Sequence, residues 1–229
     1  MLIKTQKNKT GKFFILSSPK EGEEYIAGQD PIPFNDSNVE KGSDHVIAIK
    51  ARMEQVYVAY YAYRSLNSEV VMNDIIRLQE WYKCNRFPKG ALCNIERNAG
   101  GVSRKIYETR NKLDLLSDRP THLGIEYEDK TVTKGWYKNE RTEARGNKFF
   151  IDFLLGHGEK IRFQRLLDEL KRFPEGNNDL IDAVISCEIL DNELVEKDKK
   201  FIFRPVVPRQ VREVYLDEQG FSQTRWVTK

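Results

Sequence analysis

Four carboxylates at the margins of apolar runs are the residues of this 229-residue chain best suited to chemistry. Asp30 closes YIAGQD, Glu96 follows ALCNI, and Asp179 and Asp182 open the run DLIDAV. Their settings read as two strand ends and one helix start, and a spacing of three puts Asp179 and Asp182 on one helix face. Carboxylates brought to one point from distant parts of a chain repel each other unless positive charge sits between them, and a pair of divalent cations is the usual solution. Hard cations take oxygen ligands, so a metal-dependent site for cutting phosphodiesters is the leading expectation. Each acid also has a plainer use. Asp30 could be a turn aspartate before Pro31, Glu96 could pair with Arg97 or Arg104, and Asp179 could simply favour the helix dipole. Their coincidence is what carries weight.

Other chemistries find less support. Cys84, Cys93 and Cys187 have no CxxC spacing and no histidine cluster beside them, which argues against a zinc site or a disulfide framework and for reduced, mostly buried thiols. His45, His122 and His157 are isolated and read as surface or hydrogen-bonded structural residues. No GxxxxGK[ST] occurs, so no P-loop holds a nucleoside triphosphate. No apolar run approaches the roughly 18 residues of a membrane span, and the Lys-rich start lacks the apolar centre of a signal peptide, so a soluble intracellular protein is expected. With 38 basic and 35 acidic residues the charge is nearly balanced, so any polyanion surface must come from local segregation of charge.

The elements that must position these acids are legible from periodicity. From Glu24 the pattern is β: EYIAGQDP, then VIAIKAR (46–52) and VYVAYYAYR (56–64), with a Pro/Asn/Ser/Gly-rich loop over 31–43, which predicts an antiparallel meander. Val71, Ile75, Leu78 and Tyr82 recur at helical spacing over 68–83 with Ser68 as the cap; ALCNIE (91–96) is a short strand, followed by a helix over about 102–116. Residues 121–150 read as a basic loop, 160–172 as a helix with a stripe of Phe163, Leu166, Leu167 and Leu170, and a last helix starts near Asn177. Beyond Asp191 the charged, Pro-punctuated tail reads as an extended hairpin or arm. The fold class is α/β: a mixed sheet with helices on its faces. Domain boundaries follow as a basic segment over 1–22, one domain over 23–192 and an arm over 193–229.

YIAGQDPIPFNDSNVEKGSDHVIAIKAR resembles the opening of the nuclease domain of viral (tailed bacteriophage) terminase large subunits, through Gly28, Asp30, Pro31 and Asp44. ALCNIERNAGG is similar to that family's strand ending in Glu-x-Asn before a glycine, carried by Glu96, Asn98 and Gly100, and FPEGNNDLIDAV to its third signature, in which Asp179, Asp182 and Ala183 match. Asn177 and Asn178 depart from it, standing where histidine and a first aspartate are usual. The resemblance covers roughly 23–192. It implies an RNase H-like fold and an endonuclease that cuts concatemeric viral DNA, with little sequence specificity, around genome packaging in the host cytoplasm. It also implies two Mg²⁺ or Mn²⁺ ions about 3.5–4 Å apart, bridged by Asp30 and completed by Glu96 and Asp179, with Asp182 and Asp44 in second rank. Implied partners are double-stranded DNA, a packaging ATPase domain that family members carry on the N-terminal side, a portal and a small terminase subunit. The chain is expected to be either an excised domain or a separate polypeptide, and an opening Met followed by linker-like residues suggests excision.

DNA contact is expected on the basic 134–148 segment through Lys134, Lys138, Arg141, Arg145 and Lys148, and next on the 197–212 arm, which holds Lys197, Lys199, Lys200, Arg204, Arg209 and Arg212. Two rivals use the same residues. One is an RNase H-like junction resolvase, the other a non-catalytic DNA-binding or packaging-docking module whose acids are structural.

Overall fold

A computed structural model describes residues 12–34, 42–98, 101–123, 134–202, 210–216 and 222–228. The chain divides into two compact units, residues 1–195 and 196–229. In the first, β1 (Phe13–Ile15), β2 (Tyr25–Asp30), β3 (His45–Ala51), β4 (Val56–Tyr63) and β5 (Leu92–Ile95) form one sheet in the order β1-β4-β3-β2-β5. The antiparallel meander β2-β3-β4 is present as expected, and β5 joins β2 in parallel with Ile26 opposite Leu92 and Gly28 opposite Asn94. A parallel neighbour needs a crossover, which the helix α1 (Ser68–Trp81) provides.

The sheet's period of two divides its side chains between two cores. Tyr25, Ala27, Ile47, Ile49, Cys93 and Ile95 pack with Val71, Met72 and Ile75 of α1 and with Ile106 and Tyr107 of α2 (Gly101–Thr109). Ile26, Val46, Ala48 and Leu92 face the opposite way. They meet α3 (Glu140–His157), α4 (Gln164–Leu170) and the long α5 (Asp179–Ile202). Phe150, Leu166, Ile181, Val184 and Ile185 fill that second core. Under the middle of α5, the fully buried Lys50 reaches Glu188 at 2.7 Å and Asp191 at 2.8 Å, and Arg52 reaches Asp191 at 2.7 Å. A buried ion group of this kind fixes the register of helix on sheet, because either partner left alone would be an uncompensated charge.

The structure differs from the sequence reading at several boundaries. β1 lies inside the segment 1–22 and adds an edge strand, with Phe13 paired to Tyr61. Asn67 rather than Ser68 caps α1, its side chain accepting from the Val70 N–H. The second helix ends at Thr109 and is followed by a 3-10 turn, Leu113–Leu115. The last third of the basic loop, from Glu140, belongs to α3, which is started by a capping box between Asn139 and Thr142. A 3-10 turn, Gly158–Lys160, precedes α4, so the expected helix over 160–172 shortens. The last helix begins at Asp179 and runs to Ile202, so the arm starts as helix; β6 (Gln210–Leu216) and β7 (Ser222–Thr228) then form an antiparallel hairpin within the second unit. Charged residues 191–202 still keep helical spacing, which the punctuation by Pro205 and Pro208 concealed. Among the described residues no helix is long and apolar enough to cross a membrane.

Candidate active site

Asp30 and Glu96 are delivered by neighbouring parallel strands. Asp30 is the last residue of β2 and shares the face of Ile26 and Gly28; Glu96 follows β5, shares the face of Leu92 and Asn94, and donates its N–H to the Gln29 carbonyl at 3.3 Å. The two carboxyls therefore lie side by side at the carboxyl ends of the strands, turned toward α5. Gly28 sets how close α5 comes. A Cβ at this position would lie 2.0 Å from the Ala183 carbonyl oxygen and 2.3 Å from the Cys187 nitrogen. Only a residue without one lets the helix backbone rest on β2, and this is the physical content of the Gly28 and Ala183 matches. The first turn of α5 then presents Asp179 and Asp182 to the strand ends.

Burial raises the Asp30 carboxyl well above the ordinary carboxylate range, and Asp182, Glu96 and Asp179, in that order, push it further while Lys138 opposes. Glu96 is pushed up to about 7, by burial first, against the pull of Lys138. Asp179 rises to about 6, again through burial, restrained by the Asp44 N–H and by Arg165. Asp182 is raised by burial and restrained by Lys138. Such crowding is a functional-site signature: the fold holds acids together at an electrostatic cost.

Lys138 is the group that the sequence reading placed elsewhere. Its Nζ lies 3.2 Å from Asp182, 3.8 Å from Glu143 and 3.9 Å from Glu96. Burial opposes its charge, yet Asp182 and Glu96 outweigh that and hold the ammonium above its usual range. The segment before it is an extra edge beside β5: the Trp136 N–H donates to Ile95 O at 3.0 Å and the Arg97 N–H to Trp136 O at 2.8 Å. Gly135, at φ 75°, makes the turn where a Cβ would meet Ile95 O at 2.5 Å. Asn98 clamps the Lys138 backbone from both sides, donating to its carbonyl at 2.7 Å and accepting from its N–H at 3.0 Å. That gives the Asn of the Glu-x-Asn match a task. Gly100, the last residue of that match, lies outside the described residues.

The other expected residues divide. Asp44 sits just before β3; its N–H donates to Asp179 Oδ2 at 2.7 Å, and its carboxylate pairs with Arg165 at 2.8 Å and Arg64 at 3.3 Å. Asn177 and Asn178 hold the loop, donating to the carbonyls of Gly42 at 2.7 Å and Pro174 at 3.0 Å. Glu169 of α4, which no motif singled out, accepts the N–H groups of Leu180 and Ile181, both at 3.0 Å, and so satisfies the start of α5. Of the basic segment, Lys134 turns to Asp118 at 2.8 Å and Lys138 to the acids, while Arg141, Arg145 and Lys148 are exposed on α3. Of the arm, Lys197, Lys199 and Lys200 fall on α5 and Arg212 on β6, whereas Arg204 and Arg209 lie outside the described residues. Of the histidines, His45 departs from expectation, fully buried and stacked on Phe34 at 4.0 Å, whereas His122 engages Glu193 as a hydrogen-bonded structural residue.

In donor chemistry the cluster fits hard divalent cations, with carboxylates converging and no thiol or imidazole among them. The Lys138 ammonium marks where positive charge is already accommodated. Among the described residues, no group of three acidic, histidine or cysteine side chains stands close enough together to hold a metal ion as it is. Mutual repulsion, relieved by Lys138 at Asp182 and Glu96 and by Arg165 at Asp179, is sufficient reason for that spacing.

No protein-family model matches the chain, and no curated protein is detectably similar to it in sequence. Its fold is similar to crystal structures of the large terminase nuclease from thermophilic phage G20c. With bound zinc the identity is 11% and the TM-score 0.53; with bound magnesium they are 10% and 0.53, each alignment covering 79% of this chain and 88% of the other. A further structure of that nuclease aligns at 13% identity and a TM-score of 0.50, covering 79% and 89%. At such identities the likeness concerns the fold, and the expected architecture is borne out: in its mixed sheet and flanking helices, this chain has the RNase H-like fold of large terminase nucleases.

Proposed function

We propose that this chain is a metal-dependent endonuclease that cuts double-stranded DNA during phage genome packaging, in the host cytoplasm. The observation that carries this reading is the convergence of Asp30 and Glu96, from adjacent strand ends, with Asp182, from the first turn of α5, around the Lys138 ammonium. Asp30 lies among all the other acids and is the residue suited to bridge two ions. Asp182 takes precedence over Asp179 as the third ligand. It is half-exposed and paired only with a displaceable ammonium, whereas Asp179 already accepts from the Asp44 backbone and lies 3.6 Å from Arg165. Asp179 and Asp44 then position the helix start. With two Mg²⁺ or Mn²⁺ ions bound, the site would supply an activated water and neutralise charge on the scissile phosphate and the leaving 3′ oxygen.

For the duplex, Arg141, Arg145 and Lys148 form an i, i+4, i+7 stripe on α3, whose first residue lies two positions after Lys138. Phosphate contacts from such a stripe hold DNA without reading its sequence. The activity is assigned to the first compact unit. A packaging ATPase, a portal and a small terminase subunit are the partners that this reading implies.

Plasmid nicking tests it. Cleavage is expected with Mg²⁺ or Mn²⁺ and none with chelator, with linear duplex cut at least as well as a four-way junction; preference for the junction would move the reading to a resolvase. Asp182→Ala should lose at least about 10²-fold in rate, and Asp179→Ala less. The reverse order would return Asp179 to the metal.

A further inference from the structure

A cleft of about 620 Å³ opens beside the start of α5, walled by β1, β4, α4 and the 171–177 turn. It communicates with the acidic cluster through Asp44, which lines it and whose N–H is bonded to Asp179. Arg64, Arg162 and Arg172 are exposed along its rim. Every carboxylate lining it is already engaged: Asp44 by Arg64 and Arg165, Glu169 by Arg165 and the α5 N–H groups, and Asp168 by Lys171 and Gln164. Arg162 and Arg172, by contrast, donate among the described residues only to main-chain carbonyls, those of Glu159, Ile161 and Asp168. Two guanidinium groups thus retain donors and charge for an anion.

The cleft also has an aromatic side. Phe14 of β1, 37% exposed, stacks on Tyr60 with centroids 4.4 Å apart and planes 9° from parallel, and Tyr60 meets Phe163 edge-on. An edge strand that leaves two phenylalanines half in solvent presents apolar surface that the core does not require. Arginines beside an accessible ring are the two components of single-strand binding, one for phosphates and the other for a base face. The volume falls within the roughly 300–1,000 Å³ of small-ligand pockets and is far too small for a duplex.

We propose that this cleft holds an unpaired stretch of a few nucleotides next to the scissile phosphate, with Arg162 and Arg172 on phosphates and a base stacked on Phe14. The assignment rests on the nuclease reading for the identity of the polymer, and it adds a substrate preference: DNA that is gapped or frayed beside the cut should be favoured over fully paired DNA.

The test uses the full chain with an oligo-dT strand, a gapped duplex and the same duplex fully paired. Binding is measured by fluorescence anisotropy in the Asp30→Asn background, where cutting does not interfere. Arg162→Ala with Arg172→Ala should weaken oligo-dT binding about tenfold and reduce the slope of log affinity against log salt by about 0.7 per lost contact, roughly 1.4 in all. Phe14→Ala should weaken it roughly 5- to 150-fold. Phe14→Leu, which keeps the apolar cover of Tyr60, should do nearly the same and so guards against a loss due only to misfolding. In the active background, the arginine pair should erase the preference for gapped DNA and leave cutting of paired duplex unchanged. If the arginine variant keeps wild-type oligo-dT affinity and the gapped preference, the cleft is not a strand site, whatever the nuclease result. If oligo-dT binding responds as expected but the wild-type chain nicks no DNA with metal, the cleft stands and the nuclease reading falls.

Discussion

Replacing Asp30 by Asn should separate function from stability. The side chain keeps its shape but loses the charge that burial and three neighbouring acids disfavour. Cleavage should therefore fall by about 10²–10³-fold or more, while the metal-free protein should become more stable by about 1 kcal/mol, as when a strained functional group is replaced. Nicking assays and thermal melts in chelator check both. An Asp30→Asn variant that melts below wild type would mean that the carboxylate serves the fold. All four acids had visible positions at the margins of apolar runs. Their ranking was not visible, since it depends on which oxygen a neighbour already occupies: the Asp44 N–H, invisible in any motif, is what engages Asp179.

At the scale of elements, the contact of α5 with β2 governs the geometry of the acids. Gly28→Ala would place a methyl group 2.0 Å from the Ala183 carbonyl, against backbone that cannot turn aside. A loss of more than the 1–3 kcal/mol typical of overpacking is expected, together with lost cleavage as Asp182 is displaced from Asp30; urea denaturation and nicking measure the two effects. Farther along the helix, Glu193 accepts from Thr121 at 2.9 Å and from His122. Burial tends to raise its carboxyl, but the hydrogen bonds from His122 and Thr121 prevail and hold it down to about 2. A depressed carboxyl contributes stability above its unfolded value near 4.5, and that contribution is lost as pH falls from about 4.5 toward 2. Glu193→Gln should therefore be less stable than wild type at neutral pH and converge with it in that acid window, as a pair of pH-dependent melting curves would reveal. An undiminished gap at pH 2 would mean that lost packing, not the charge, is responsible.

For the whole molecule, the crowded acids tie stability to cations. Mg²⁺ should raise the melting point of the wild-type chain, by up to about 2.7 kcal/mol of stability at a hundredfold excess over its dissociation constant, and should do little for Asp30→Asn. Lys138→Met removes the tethered ammonium that now sits among Asp182, Glu143 and Glu96. It should destabilise the metal-free protein and enlarge the Mg²⁺ response, because the ion no longer competes with a built-in cation. Equal metal shifts in the two proteins, measured by thermal melts and calorimetry, would remove Lys138 from the site.

The sequence by itself determined the local elements and the candidate acids. Runs of β-branched and aromatic residues mark β2 to β4, helical spacing marks α1 and the start of α5, and a carboxylate ending an apolar strand is costly enough to be conspicuous at Asp30 and Glu96. It could not give α3 as a helix, because a polar amphipathic helix with a basic face has the composition of a loop. Nor could it give β1, whose three residues are strand only because β4 offers them an edge. The tertiary structure alone decided that Lys138 turns inward and that Arg162 and Arg172 flank an open cleft. A charged side chain's partner depends on which chain segments pack beside it, and local sequence does not encode that distance.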